Sequence, residues 1–218
     1  MEADWYTSLY LIYINLDCRK DRRVHIINEL NKLDINQECN RHRLSALRAT
    51  NNEHKALGCT KSHIAAINIA IENNWPYVFI CEDDITFNNP ELFKTQLFAF
   101  LEEGHKWDCI LVAGNNFPPY SVLPSGTAVS ISKCQTTTGY IVRNSYYTTL
   151  KNNFLESHDL LKKNKNKYSK YAIDKWWFSL QAQGTWFLII PLSVVQQAGY
   201  SDILCKKTDY IKDMLQLQ

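Results

Sequence analysis

Short runs of nearly unbroken apolar residues punctuate the chain at 9–16 (LYLIYINL), 77–81 (YVFIC), 109–113 (CILVA) and 186–191 (WFLIIP). Runs of this length, rich in β-branched and aromatic residues and without alternation, predict strands buried on both faces. Between them the period becomes helical. Val24, Ile27, Leu30 and Leu33 recur at helical spacing over 19–33 and predict an amphipathic helix with that face inward. Thr60 reads as the cap of a helix running to about Asn74, with Ile64, Ile67 and Ile71 on one face, Ala65, Ala66 and Ala70 packing closely, and Pro76 just beyond its end. Residues 90–103 predict a helix with proline at its first position. Residues 42–47 read as a short strand. The second half is less regular. Residues 128–132 and 138–142 predict strands, 144–153 a helix, 162–170 (KKNKNKYSK) a mobile loop, and 173–182 a helix carrying Trp176 and Trp177. No repeat or linker divides 1–218, so this reads as one α/β three-layer domain. Its sheet is mixed but mostly parallel, Rossmann-like and flanked by helices, and its C-terminal half is irregular. Ligands of such sheets bind at the carboxyl ends of strands.

Composition narrows the class. The chain has 218 residues, enough to bury a core without disulfides or metals as props. A net charge of +2 is too balanced for a domain that grips nucleic acid by bulk charge. No apolar run reaches membrane-span length, and residues 1–8 are acidic and polar, so neither a transmembrane segment nor a signal peptide is expected. Seven cysteines (Cys18, Cys39, Cys59, Cys81, Cys109, Cys134 and Cys205) form no CxxC pair. Free thiols in a reducing compartment are the simplest reading, with Cys81 and Cys109 as small core residues. A soluble, intracellular protein is expected.

The sharpest local chemistry is Glu82-Asp83-Asp84 at the end of YVFIC. Three adjacent carboxylates repel, and a divalent cation would offset them. Mg²⁺ and Mn²⁺ take such oxygen ligands together with substrate phosphates. On an extended segment Glu82 and Asp84 would face one ligand and Asp83 the other way. A solvated acidic turn is the alternative. Arg19, Asp21 and Arg22 follow the first strand; guanidinium forks suit phosphate oxygens, and local ion pairs at a solvated helix start are the alternative. Residues 58–63 (GCTKSH) open a helix whose free N–H groups favour anions, with Ser62 and His63 in reach. No GxGxxG, P-loop or GxSxG element is present.

Taken together, these blocks resemble glycosyltransferase family 25, which holds lipooligosaccharide galactosyltransferases, collagen galactosyltransferase domains and giant-virus relatives. The likeness runs in order through YINLDCRKDR, ALRAT, LGCTKSHIAAINIAI, YVFICEDDITF, HKWDCILVAG, TGYIVRNSYYTTL, the pair Ile173-Asp174 and PLSVVQQAGYSDI, covering roughly 9–204. It departs where Gly139, not alanine, precedes Tyr140. The resemblance implies a GT-A fold and an inverting transfer of a hexose, galactose or glucose, from a UDP-sugar to a glycan or glycoprotein hydroxyl, as in lipopolysaccharide or collagen-type glycosylation. It implies Mn²⁺ or Mg²⁺ held by Glu82 and Asp84, with Asp83 in the same motif. It places Asn15 and Leu16 against uridine, Arg19, Asp21 and Arg22 near nucleotide or phosphate, and Lys61, Ser62 and His63 on the donor side. Asp174, then Asp202, are the candidate bases. A viral member would work in host cytoplasm or virion.

Trp176, Trp177 and Trp186 could stack on an acceptor, and buried packing is the competing reading, favoured for Trp186. The stretch 162–170 could be a lid or acceptor contact, or simply a solvated loop. A metal-dependent phosphodiesterase or nuclease on the same carboxylates, and a catalytically silent binding module, are the competing function classes; near-neutral charge speaks against the nuclease.

Overall fold

The computed structural model describes residues 9–33 and 40–217. The polar residues 1–8 and Cys39 lie outside the described residues. In chain order the elements are β1 (Tyr10–Asn15), α1 (Lys20–Asn31), β2 (Arg41–Ser45), α2 (Ala56–Glu72), β3 (Tyr77–Glu82), β4 (Ile85–Phe87), α3 (Pro90–Glu102) and β5 (Cys109–Leu111). Then come β6 (Asn115–Asn116), β7 (Tyr120–Val122), β8 (Ala128–Ile131), β9 (Cys134–Gln135), β10 (Gly139–Arg143) and α4 (Asn144–Lys163). Short pieces follow: α5 (Tyr168–Tyr171), α6 (Ile173–Trp176), α7 (Phe178–Gln181), β11 (Trp186–Ile189), β12 (Val194–Gln196), β13 (Gly199–Ser201), β14 (Lys206–Thr208) and α8 (Ile211–Met214).

Eight strands form one sheet in the order β2-β1-β3-β10-β5-β11-β8-β7. The pairings β1·β2, β1·β3 and β5·β11 are parallel, while β10 and β8 run against both neighbours. Six strands thus share a direction, in a mixed sheet as expected. Alternate side chains of each strand go to opposite layers. Leu11, Phe79, Ile110 and Ile141 pack with Ile26, Leu30, Phe93 and Phe100 of α1 and α3. Ile12, Val78, Leu111 and Tyr140 pack with Ala66, Ile67, Leu150 and Phe154 of α2 and α4. The result is three layers, helix on sheet on helix.

Four expectations are corrected. The inward face of α1 is Ile26, Glu29 and Leu30, while Val24 is 61% and Ile27 37% exposed. The strip is rotated because buried Glu29 has a role: one carboxylate oxygen accepts the Phe87 N–H of β4 at 2.8 Å and the other pairs with Lys32. Thr60 is no cap: α2 starts a turn earlier, and the Thr60 hydroxyl donates to the Ala56 carbonyl at 3.0 Å inside the helix. Ile71, on the expected face, is exposed. The stretch 162–170 is not an open loop. It is the end of α4, a 3₁₀ turn at Lys165–Lys167 and the start of α5. Among the described residues, no helix is long and apolar enough to cross a membrane. The six described cysteines are unpaired, with Cys81, Cys109 and Cys134 buried and Cys18 and Cys205 exposed.

Candidate functional site

Strands β2, β1 and β3 are parallel neighbours, so their carboxyl ends meet at one edge. The register sets Asn15 beside Ser45 and Ile14 beside Glu82. A cavity of about 690 Å³ opens there. That is within the range of about 300–1,000 Å³ typical of small-molecule and cofactor sites. Its wall is built from the end of β1, the segment after β2, the first two turns of α2, the turn after β3, and Gln196, Ser201, Asp202 and Ile203 from the C-terminal ribbons.

The segment after β2 is locked onto α2 by two residues. A Cβ on Gly58 would stand 2.6 Å from the Leu47 carbonyl oxygen and 2.8 Å from the Ala49 nitrogen, so only glycine lets the helix approach the loop. Four residues on, the Ser62 hydroxyl accepts the Leu47 N–H at 2.8 Å and donates to the Gly58 carbonyl at 2.8 Å. This clamp puts Arg48 on the cavity wall. Gly139 is fixed similarly at the head of β10: a Cβ would lie 2.7 Å from Val112 and 2.8 Å from Ile85. The alanine of the family pattern has no room at this position.

Beyond Glu82 the chain turns tightly into β4, so the expected geometry, with Asp83 facing away, does not occur. Asp83 and Asp84 converge: one Arg22 nitrogen donates to Asp83 Oδ1 at 3.1 Å and to Asp84 Oδ2 at 3.0 Å. Glu82 turns the other way, toward His63 Nε2 at 3.3 Å, the Thr137 hydroxyl and the Cys59 thiol. The positive group that offsets Asp83 and Asp84 is Arg22, from α1. Burial still pushes Asp84 up to about 7, with the charge of Glu82 adding to the shift and Arg22 opposing it. Burial raises Asp83 as well. Burial also works to raise Glu82, but hydrogen bonds from His63 and Thr137 and the charges of His63 and Arg22 outweigh it, leaving its carboxyl below the usual value. Asp84 Oδ2 also accepts the Gln196 side-chain amide at 3.0 Å, whereas Asp84 Oδ1 is buried with no hydrogen-bond partner.

Of the residues singled out in the sequence, Leu16, Arg22, Ser62, His63, Glu82, Asp83, Asp84 and Asp202 line the cavity; Asn15, Arg19, Asp21, Lys61 and Asp174 do not. Asn15 is buried, and its amide is committed to Asp83 Oδ2 at 2.7 Å, to the Arg19 carbonyl and to Arg43. It positions the acidic turn. Arg19 pairs with Asp202 at 2.6 Å and with Asp21 at 2.8 Å. Lys61 pairs with Glu53. Asp174 sits in the first turn of α6, where burial raises its carboxyl and the charge of Glu82 adds to that. Its charge acts in turn on Cys59. Trp177 is wholly buried and donates its indole N–H to the Cys134 carbonyl, and Trp186 is buried against it. Both are core, and neither can stack on an acceptor. Trp176 is partly exposed and lines a separate shallow depression with Lys170, Lys175 and Phe178.

Sequence reasoning passed over Arg48 and Lys55 on the cavity wall, and Thr137 behind Glu82. Arg48 stands in the ALRAT block and was recoverable from it. Lys55 and Thr137 carry no local signal.

No curated protein matches the chain. Among solved structures, it is similar to a glycosyltransferase involved in glycosylation of the major capsid of PBCV-1, with a TM-score of 0.55 at 11% identity over 88% of this chain and 94% of that one. It is also similar to A197 from STIV (TM-score 0.45, 11% identity, 88% and 95% covered) and to mannose-1-phosphate geranyltransferase from Thermus thermophilus (0.47, 7%, 87% and 74%), both too distant to bear on the argument. The fold is GT-A-like, as in the PBCV-1 enzyme. Residues 52–154 match the family described as glycosyltransferase family 25 (LPS biosynthesis protein). That stretch, just under half of the chain, carries α2, the acidic turn and the head of β10.

Proposed function

We propose that the chain moves a hexose, galactose or glucose, from a UDP-sugar to a hydroxyl of a glycan or glycoprotein, with inversion and with the help of Mn²⁺ or Mg²⁺. The observation that carries this reading is Asp84 Oδ1, a buried, unpartnered carboxylate oxygen of a residue that lines the cavity at the strand ends. A buried acceptor without a partner is costly, and a hard cation would satisfy it. Donor chemistry agrees, since oxygen ligands suit Mg²⁺ and Mn²⁺. Asp84 would hold the cation, and Glu82, turned toward His63, would reach it only by rotating away from that partner. Such a cation supplies positive charge against the departing diphosphate.

The chain's own residues do the rest. Arg48 and Lys55 on the wall offer further positive charge to phosphate oxygens. Arg22 keeps Asp83 and Asp84 together, and Leu16 and Ile14 give the base an apolar seat. Asp174, in the first turn of α6 and outside the cavity wall, is taken as the base for the acceptor hydroxyl proton, as the resemblance implies. Asp202 is the second candidate, but it is tied to Arg19. Trp176 marks the acceptor side.

Thermal melts test this with UDP, UDP plus Mn²⁺, and single-stranded DNA. At about 100 times its Kd a ligand adds about 2.7 kcal/mol. The expected result is stabilisation by UDP that grows with Mn²⁺ and vanishes in Asp84→Ala. A shift with DNA and none with UDP would overturn the reading in favour of a nuclease.

A further inference from the structure

On the side of the acidic turn away from Arg22, Cys59, His63 and Glu82 form a second constellation, whose thiol the transferase reading does not use. Cys59 and His63 stand four residues apart on α2, so they share a helix face. Glu82 reaches them from the end of β3. One donor atom of each residue lies within 4.8 Å of the other two. His63 Nε2 is 3.3 Å and Cys59 Sγ 3.9 Å from the same oxygen, Glu82 Oε1. Ligand atoms around a tetrahedral zinc, with bonds of about 2.0–2.3 Å, stand about 3.3–3.7 Å apart, so the His63–Glu82 edge already matches such a site and the Cys59 thiol would move inward to complete the face.

We propose that Cys59, His63 and Glu82 bind one zinc-class divalent cation, at a position distinct from the hard-cation position at Asp84. A thiolate and an imidazole select a softer metal than a set of carboxylates does. The surroundings support it. His63 is 1% exposed, and its Nδ1 is 3.0 Å from the Tyr140 hydroxyl, which leaves Nε2 aimed at Glu82. A ring nitrogen held by a buried partner is the usual support for a metal-bound histidine. The Thr137 hydroxyl donates to the same oxygen, Glu82 Oε1, and fixes where it stands. All three ligand residues line the cavity, so the fourth position is reachable by water or by an oxygen of a bound molecule, the pattern of zinc sites that keep one position open. Binding needs both Cys59 Sγ and His63 Nε2 free of their protons, so protons leave to solvent as the cation binds.

The test is titration of the full chain with Co²⁺, followed by displacement with Zn²⁺. One equivalent of Co²⁺ should give a thiolate-to-cobalt charge-transfer band, which Zn²⁺ removes. The band should survive Cys18→Ser/Cys205→Ser, which removes the exposed thiols among the described residues, and disappear in Cys59→Ser. Tyr140→Phe should weaken Zn²⁺ binding by about 10–100-fold. Asp84→Ala should keep the band while losing Mn²⁺-dependent UDP binding, which separates this inference from the proposed function. Absence of a thiolate band in the wild-type chain, or its loss in Cys18→Ser/Cys205→Ser, would overturn the proposal and leave the transferase reading standing.

Discussion

Replacing Arg22 with methionine tests how the acidic turn is held. The Arg22 side chain is 15% exposed, and the carboxylates it bridges, Asp83 and Asp84, are 9% and 3% exposed. Methionine keeps much of the length and removes the charge, leaving two buried carboxylates without their cation. Breaking a buried pair in this way costs about 3–5 kcal/mol. For a chain of this size each kcal/mol moves Tm by about 2–4 °C, so the variant should melt about 6–20 °C lower. A divalent cation at the turn would replace the lost charge. Mn²⁺ should therefore raise the Tm of Arg22→Met by more than it raises that of the wild type. Differential scanning calorimetry with and without Mn²⁺ reads both effects. A Tm within about 2 °C of wild type would show that Arg22 does not offset the carboxylates. Equal Mn²⁺ shifts in both proteins would refute the placement of the cation at Asp84.

Gly58→Ala should push the 46–50 segment off α2 and cost about 1–3 kcal/mol, with weaker nucleotide binding by calorimetry; a stable variant with normal affinity would remove the clamp from the account. Val24→Lys should change stability by less than about 0.5 kcal/mol, and Ile26→Ala should lose about 2–5 kcal/mol in urea unfolding. Reversal of that order would restore the face read from the sequence. Asp174→Asn should fold and bind UDP with Mn²⁺ but lose transfer, whereas Asp202→Asn should keep measurable transfer; normal turnover by Asp174→Asn would move the base elsewhere.

The strands were legible because the central sheet is covered on both sides, so their sequence is apolar without interruption. The helices between the first strands were legible too, but the helical run over 162–170 and the buried face of α1 were not. Val24 and Ile27 are apolar and exposed, while Glu29 is charged and buried because it caps a β4 backbone group 58 residues away. Nothing in local periodicity encodes such a partner. The site divides in the same way. Three adjacent carboxylates at a strand end, and helix residues Ser62 and His63, announce themselves. That Asp83 and Asp84 share Arg22, across 61 and 62 positions, while Glu82 turns to His63, depends on the tight turn into β4 and on the docking of α1. The resemblance places Asn15 against uridine; its amide also donates to Asp83 Oδ2, a partner 68 positions away that no local pattern encodes.

The most direct test of the central claim is release of UDP from a panel of UDP-hexoses in the presence of Mn²⁺, with wild type and Asp84→Ala side by side. The account predicts turnover of UDP-galactose or UDP-glucose by the wild type and loss of it in Asp84→Ala. Turnover that is unchanged in Asp84→Ala and unaffected by removal of the metal with a chelator would contradict it.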